Sequence, residues 1–326
     1  MYNVSVSPHV RDKSSSQKIM LDVAIALLPT LGYGVYHFWS DFGARPLMLI
    51  LVSVASCVAF EALFELITKR PITVFDFSAV VTGLIIALNL PPTATWWMPV
   101  LGSAFGIIAA KMLFGGLGQN FMNPALAGRC FLVISFTQRM TNFAVDATSS
   151  ATPLAVMKNA DTLPKMDLLN LFIGNHGGCI GEVSALCILI GAAYLLVKKI
   201  ISPVIPCVYI LSTVAIIAII RFISKDEVTV NYLVAQALSG GLLAGAFFMA
   251  TDYVTSPITF KGKIIFALVL GLLTALFRTL GSTAEGVSYA IIIGNLLVPI
   301  IEKKTISLPF GCERVKKVKA AKEESK

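Results

Sequence analysis

Ten apolar runs, separated by polar connectors, constrain this chain more than any other feature. They are Met20–Phe38, Leu47–Ile67, Phe77–Leu90, Trp96–Phe114, Pro124–Phe136, Val183–Val197, Pro203–Ile220, Tyr232–Ala250, Ile264–Leu280 and Val287–Ile301. A helix crossing the hydrocarbon core needs about 20 apolar residues. The third and fifth runs are short for a straight span, so nine spans or a broken helix are alternatives to ten. Composition agrees with a membrane interior. Hydrophobic residues make up 56% of the chain and charged residues 13%, against about a quarter charged in soluble domains. Mean hydropathy is +0.81. A soluble enzyme, a secreted disulfide scaffold and a disordered chain are excluded, leaving an all-α integral membrane protein.

Charge gives the orientation. With the N-terminus inside, the cytoplasmic segments hold Arg11, Lys13, Lys18, Lys69, Arg70, Lys198, Lys199, Lys261 and Lys263. The tail from Lys303 to Lys326 adds eight of the 26 Lys and Arg residues. The opposite face holds fewer: Arg45, Arg139, Lys158, Lys165, Arg221, Lys225 and Arg278. This asymmetry places both termini in the cytoplasm. A basic tail after the last span suits anionic lipid, and with no aromatic-interleaved groove beside it nucleic acid is not expected as a partner. The six cysteines contain no C-x-x-C pair and the three histidines are dispersed, so no metal site is expected.

Two halves emerge. Thr82-Gly83 through Phe114-Gly115-Gly116-Leu117-Gly118 resembles Gly240-Gly241 through Phe277-Arg278-Thr279-Leu280-Gly281. Five spans per half would make the second copy inverted, with a site near the midplane between the copies. Chance likeness of Gly- and Leu-rich helices is the alternative. The organisation is then an N-terminal arm (1–19), a first repeat (20–136), an extracytoplasmic loop (137–182), a second repeat (183–301) and a basic tail (302–326).

Ionisable residues in or near the spans are Asp22, Glu61, Glu65, Asp76, Lys111, Arg129, Asp252, Arg278 and Glu285. Glu61 and Glu65 share a helical face and are expected to snorkel toward the cytoplasmic interface beside Lys69 and Arg70. Lys111 and Asp252 adjoin segments broken by Gly, Pro and polar residues, where free backbone groups line cavities. With Asn120 and Asn123 they form a candidate core site for a flavin or an ion. Tight helix crossing accounts equally well for the glycines at 115–118.

The loop at 137–182 exceeds ordinary connector length and contains Asp146-Ala147-Thr148-Ser149-Ser150-Ala151-Thr152-Pro153. The run resembles the flavinylation motif D-x-x-(S/T)-G-A-T, in which the threonine hydroxyl is esterified by FMN phosphate. Thr152 matches the acceptor, Asp146 the leading acid, and Ser149 and Ala151 the small neighbours. Ala147 and Ser150 stand where the family often has glycine. An ordinary Ser/Thr-rich turn is the alternative.

Other blocks resemble the RnfD family, the D subunits of Rnf complexes. These are Ser7-Pro8-His9, Ala26-Leu27-Leu28-Pro29, Asp76-x-Ser78-Ala79 with Leu90-Pro91-Pro92, Lys111-x-x-Phe114 through Asn123-Pro124-Ala125, and Thr251-Asp252-Tyr253 with Thr255-Ser256-Pro257. The related NqrB family, from the sodium-pumping NADH:quinone reductase, shares this core but tends to be longer. The resemblance implies a subunit of an ion-translocating oxidoreductase that passes electrons between ferredoxin and NAD in a prokaryotic plasma (inner) membrane. It implies FMN on Thr152, a non-covalent riboflavin in the core, a flavin transferase in maturation, and Rnf subunits A, B, C, E and G as partners. No complete catalytic site is expected on this chain. A flavin-free secondary transporter or channel with inverted repeats is the alternative function.

Overall fold

A computed structural model describes residues 15–145, 148–149, 152–159, 167–224, 228–281 and 286–306. The arm up to residue 14, the tail from residue 307, and Asp146, Ser150, Ala151 and Glu285 lie outside the described residues.

Among the described residues, regular structure is helical apart from one pair of two-residue strands, β1 (Ala144–Val145) and β2 (Thr148–Ser149). The first half runs α1 (Ser16–Phe42), α2 (Arg45–Ile67), α3 (Ser78–Leu88), α4 (Trp97–Ala104) and α5 (Pro124–Ser135). α4 continues as a π-helix over Phe105–Lys111 and a 3-10 turn to Phe114. Short helices α6 (Thr137–Met140), α7 (Pro153–Asn159) and α8 (Leu168–Ile173) occupy the connection. The second half runs α9 (Ala185–Val197), α10 (Val204–Ile223), α11 (Val230–Leu238), α12 (Leu242–Ala244), α13 (Phe260–Leu280) and α14 (Val287–Thr305). α12 continues as a π-helix over Gly245–Met249.

Every expected run contains helix, but length divides them. α1, α2, α4 with its continuation, α10 and α13 are long and apolar enough to cross a bilayer alone. α11 and α12 form a sixth candidate, bent by 56° at the break. The apolar helices α3, α5 and α9 are shorter. Nearly all of α3 is buried within the bundle, so it meets protein rather than lipid and need not reach both interfaces.

Packing repeats between the halves. α2 packs on α3 and α4, and α4 packs on α5; likewise α10 packs on α11 and α13, and α13 on α14. Across the halves α1 packs against α9 and α5 against α14. Small residues permit these approaches. A Cβ on Gly83 would meet the backbone of Val54, and one on Gly191 the ring of Phe248.

Both interrupted helices have their open backbone groups satisfied by side chains or by another segment, as an apolar medium requires. Beyond α3, the carbonyls of Leu88 and Leu90 accept from the amides of Gly181 (2.9 Å) and Ile180 (3.0 Å). Residues 174–184 therefore turn back into the core. Between α11 and α12, Gly240 and Gly241 take left-handed φ values of 68° and 64°. There Arg278 donates to the carbonyls of Gln236 (2.6 Å), Ser239 (2.9 Å) and Gly240 (3.2 Å).

Candidate functional site

Lys111 ends the π-helical stretch of α4 and is 2% exposed. Its Nζ donates to both carboxylate oxygens of Glu61 (2.7 and 2.8 Å) and to Ser78 Oγ (2.6 Å). Ser78 Oγ donates in turn to Asp76 Oδ1 at 2.5 Å. The buried ammonium is thus paired and hydrogen-bonded, which is the condition for keeping a charge out of water. This corrects the expectation for Glu61 and Glu65. Each is only 1% exposed: Glu61 turns inward to Lys111, and Glu65 accepts from the backbone amide (3.0 Å) and hydroxyl of Thr73.

Asn123 is the N-cap of α5. Its Oδ1 accepts from the Ala125 amide (3.0 Å), and its Nδ2 donates to the Met249 carbonyl (3.3 Å) at the end of the second half's π-helix. Asn295 of α14, with its amide oxygen turned toward Asn123, accepts from the Asn123 amide and donates to the Thr255 carbonyl. Asn120 closes the glycine turn by donating to the Met122 carbonyl (3.1 Å). Asp252 accepts from Thr255 Oγ1 (3.0 Å).

These four residues, grouped from sequence as one candidate core site, line one cavity. Lys111, Asn120, Asn123 and Asp252 share it with the apolar walls Ile85, Phe247 and Phe248, around a free space of about 90 Å³. A largely apolar chamber with a few convergent polar groups is the usual build of an organic ligand site. Its donors and its carboxylate fit a partly hydrated ion or one edge of a flat heteroaromatic group.

Arg129 forms a second buried cluster, deeper between the halves. It donates to Asn89 Oδ1 (2.9 Å) and Ser288 Oγ (2.6 Å) and lies 3.7 Å from Glu182. The cluster joins the end of α3, the middle of α5, the start of α14 and the returning segment. Sequence reading noted Arg129 as an ionisable residue but gave it no partners, since Asn89, Glu182 and Ser288 lie far apart along the chain.

Thr152 belongs to a third region. It is 8% exposed, and its Oγ1 accepts from the Ala155 amide (3.3 Å) at the start of α7. Leu154 and Met157 of α7 pack with Ile217, Tyr232 and Ala275. Of the motif, Ser149 lies in β2, while Asp146, Ser150 and Ala151 lie outside the described residues. Among the described residues no group of three or more His, Cys, Asp or Glu side chains could hold a metal ion. Cys57, Cys130, Cys179, Cys187 and Cys207 are free thiols.

The family model described as "NQR2, RnfD, RnfE family" matches residues 3–311. The chain belongs to this family. Its RnfD-type relatives match over nearly the full length. The D subunit of the Na(+)-translocating ferredoxin:NAD(+) oxidoreductase complex of Acetobacterium woodii is 47% identical over 320 residues, covering 96% of each chain. The D subunit of the proton-translocating complex of Clostridium ljungdahlii is 39% identical, covering 96% of this chain and 97% of that one. The D subunit of the ion-translocating oxidoreductase complex of Stutzerimonas stutzeri is 37% identical, covering 92% and 93%.

Proposed function

We propose that this chain is the D subunit of an Rnf-type, ion-translocating ferredoxin:NAD oxidoreductase and carries electrons through FMN esterified to Thr152. The full-length similarity to RnfD-type relatives carries this reading. The names of those relatives include both Na(+) and proton translocation, so the proposal covers ion translocation as such. Subunits A, B, C, E and G are the proposed partners, in a prokaryotic inner membrane with both termini cytoplasmic and Thr152 extracytoplasmic.

Ten membrane elements in two inverted five-helix repeats form the proposed architecture. Its support is the packing order common to both halves, with first elements α1 and α9 and last elements α5 and α14 meeting across the divide. A pseudo-twofold axis in the membrane plane brings equivalent helices together in this way.

A bound flavin would supply one- and two-electron chemistry, while the protein supplies position and electrostatics. Thr152 would hold the phosphate, and its hydroxyl must leave its role as cap of α7 when the ester forms. A seven-residue helix has little stability of its own, so its first turn can open to a transferase. Lys111, Asn120, Asn123 and Asp252 would present donors and a carboxylate to a second, non-covalent flavin such as riboflavin, or to an ion, between the halves.

The test is in-gel ultraviolet fluorescence of the denatured chain, made with its flavin transferase, beside Thr152→Ala. A fluorescent wild-type band that the variant lacks is the expected result. A dark wild-type band, with the transferase active on a control, overturns the electron-carrier reading and leaves a flavin-free inverted-repeat transporter in its place.

A further inference from the structure

Four buried residues between α8 and α9 cross one end of the space between the halves. Cys179, Ile180, Gly181 and Glu182 pass between α1, the end of α3 and the break before α12. Their main chain is held from two sides. The amides of Ile180 and Gly181 donate to the carbonyls of Leu90 and Leu88, and the Ile180 carbonyl rests on α1 at Gly34. A Cβ on Gly34 would lie 2.1 Å from that oxygen, so the slot exists only because residue 34 is glycine. At the other end of the segment, the Glu182 carboxylate lies against Gly241 and 3.7 Å from the Arg129 guanidinium. Residues 179–182 thus form a strap across the two halves, fastened by an ion pair.

Contacts lead from the strap to the core cavity. Arg129 donates to Asn89 Oδ1, and Asn89 Nδ2 donates to the carbonyl of Ile85 (2.6 Å), a wall residue of the cavity. Asn89 Nδ2 also lies 4.0 Å from Met249 Sδ, and the Met249 carbonyl accepts from Asn123, another wall residue. The strap therefore closes the cavity toward the end of α3, which is extracytoplasmic in the proposed topology. The opposite end differs. Ile19, Leu117, Ile200 and Tyr253 line it, and Leu117 and Tyr253 are 37% and 53% exposed. Leu117 also borders a wider hollow of about 770 Å³ with Gln17, Arg70 and Asp76, at the cytoplasmic ends of their elements.

An ion pair suits a gate. Its partners attract strongly only in matched geometry and are costly to leave buried and unpaired, and packed interfaces switch between discrete arrangements rather than deform continuously. At 3.7 Å the pair is longer than a charge-assisted hydrogen bond of about 2.7–2.9 Å, so less is lost when it parts. We infer that residues 179–182 are the extracytoplasmic gate of the core cavity, locked by Arg129 and Glu182, and that this structure is the arrangement open toward the cytoplasm alone. A ligand or ion at Lys111 and Asp252 then exchanges with the cytoplasm until the pair parts. The inference rests on the reading of that cavity as a binding site between the halves.

Ile85→Cys in the complete complex tests it. A small, charged, membrane-impermeant methanethiosulfonate is added to right-side-out or inside-out vesicles, and peptide mass spectrometry reads modification at residue 85. Native Cys179, 1% exposed, reports on the strap in the same sample. With the strap closed, residue 85 reacts several-fold faster from the cytoplasmic side than from the outside. Equal rates from both sides, or no reaction from either, overturn the inference, and this comparison alters nothing in the strap. Two variants then release it: Arg129→Met with Glu182→Gln removes both charges, and Gly34→Ala displaces the Ile180 carbonyl. Each should raise outside modification of residue 85 and of Cys179 several-fold, with the cytoplasmic rate at residue 85 retained as the sign of an intact fold. Outside rates unchanged in both variants also refute the gate. Riboflavin and Na⁺, added separately, read the binding site itself by slowing the cytoplasmic reaction at residue 85. Protection by neither retires the binding-site reading, while the sidedness of the reaction still decides the gate.

Discussion

A single buried guanidinium, Arg129, links segments from both halves and from the returning loop. Its partners Asn89, Ser288 and Glu182 are themselves buried, so no water is at hand to replace a lost contact. Removing one member of a buried, hydrogen-bonded charge pair typically costs about 3–5 kcal/mol, because the survivor stays unpaired. Arg129→Ala should therefore lower the thermal midpoint of the detergent-solubilised chain sharply, and a variant as stable as wild type would deny the cluster this role. Lys111 permits a finer test. Lys111→Met leaves Glu61 buried without its ammonium, whereas Lys111→Met combined with Glu61→Gln removes the charge with it. The double variant should be more stable than Lys111→Met alone. Additive losses in a double-mutant cycle would show that the pair is not coupled.

Glycine breaks shape the elements between these residues. Gly241 sits in the left-handed region, and a Cβ there would strike the carboxylate side chain of Glu182. The left-handed conformation costs a residue with a Cβ about 1–2 kcal/mol, and Gly241→Ala should lower the stability of the detergent-solubilised chain by more than that. A loss within that range would mean that the contact with Glu182 is relaxed freely. Much of this architecture was legible in sequence. Hydropathy located every helix of the two halves, and breaks near Pro91-Pro92 and Gly115–Gly118 were visible from residue type. Lys111, Asn120, Asn123 and Asp252 were grouped because each adjoins such a break, and the fold brings them to one cavity. The direction of Glu61 was not legible, since a glutamate near a helix end has the same local pattern whether it reaches water or an inward lysine. The return of residues 174–184 was equally hidden. It depends on backbone amides meeting the carbonyls of Leu88 and Leu90, and main-chain pairing leaves little mark on side-chain composition.

At the scale of the whole molecule, orientation ties these sites to opposite surfaces. The proposed topology puts Lys69, Lys199 and Lys261 on the cytoplasmic side, and Asn142 and Lys158 on the other. With Cys187, Cys207 and Cys312 replaced by serine, and Cys57, Cys130 and Cys179 buried, single introduced thiols can report sidedness with a membrane-impermeant maleimide. In right-side-out vesicles, Asn142→Cys should label at once, while Lys69→Cys and Lys261→Cys should label only after the membrane is opened. Asn142 is an apt probe because its side chain is exposed and it precedes the β1–β2 pair that leads toward Thr152. The inverted-repeat reading makes a further demand on the same vesicles. α2 and α10 occupy equivalent places in the two halves, so they must cross in opposite directions, one ending at Lys69 inside and the other at Ser224 outside. Ser224→Cys should accordingly label from the outside with Asn142→Cys. Labelling of Ser224→Cys only after opening would place the ends of α2 and α10 on the same side. The two halves would then be parallel rather than inverted, and the core cavity would lose the pseudo-twofold relation that sets it between them.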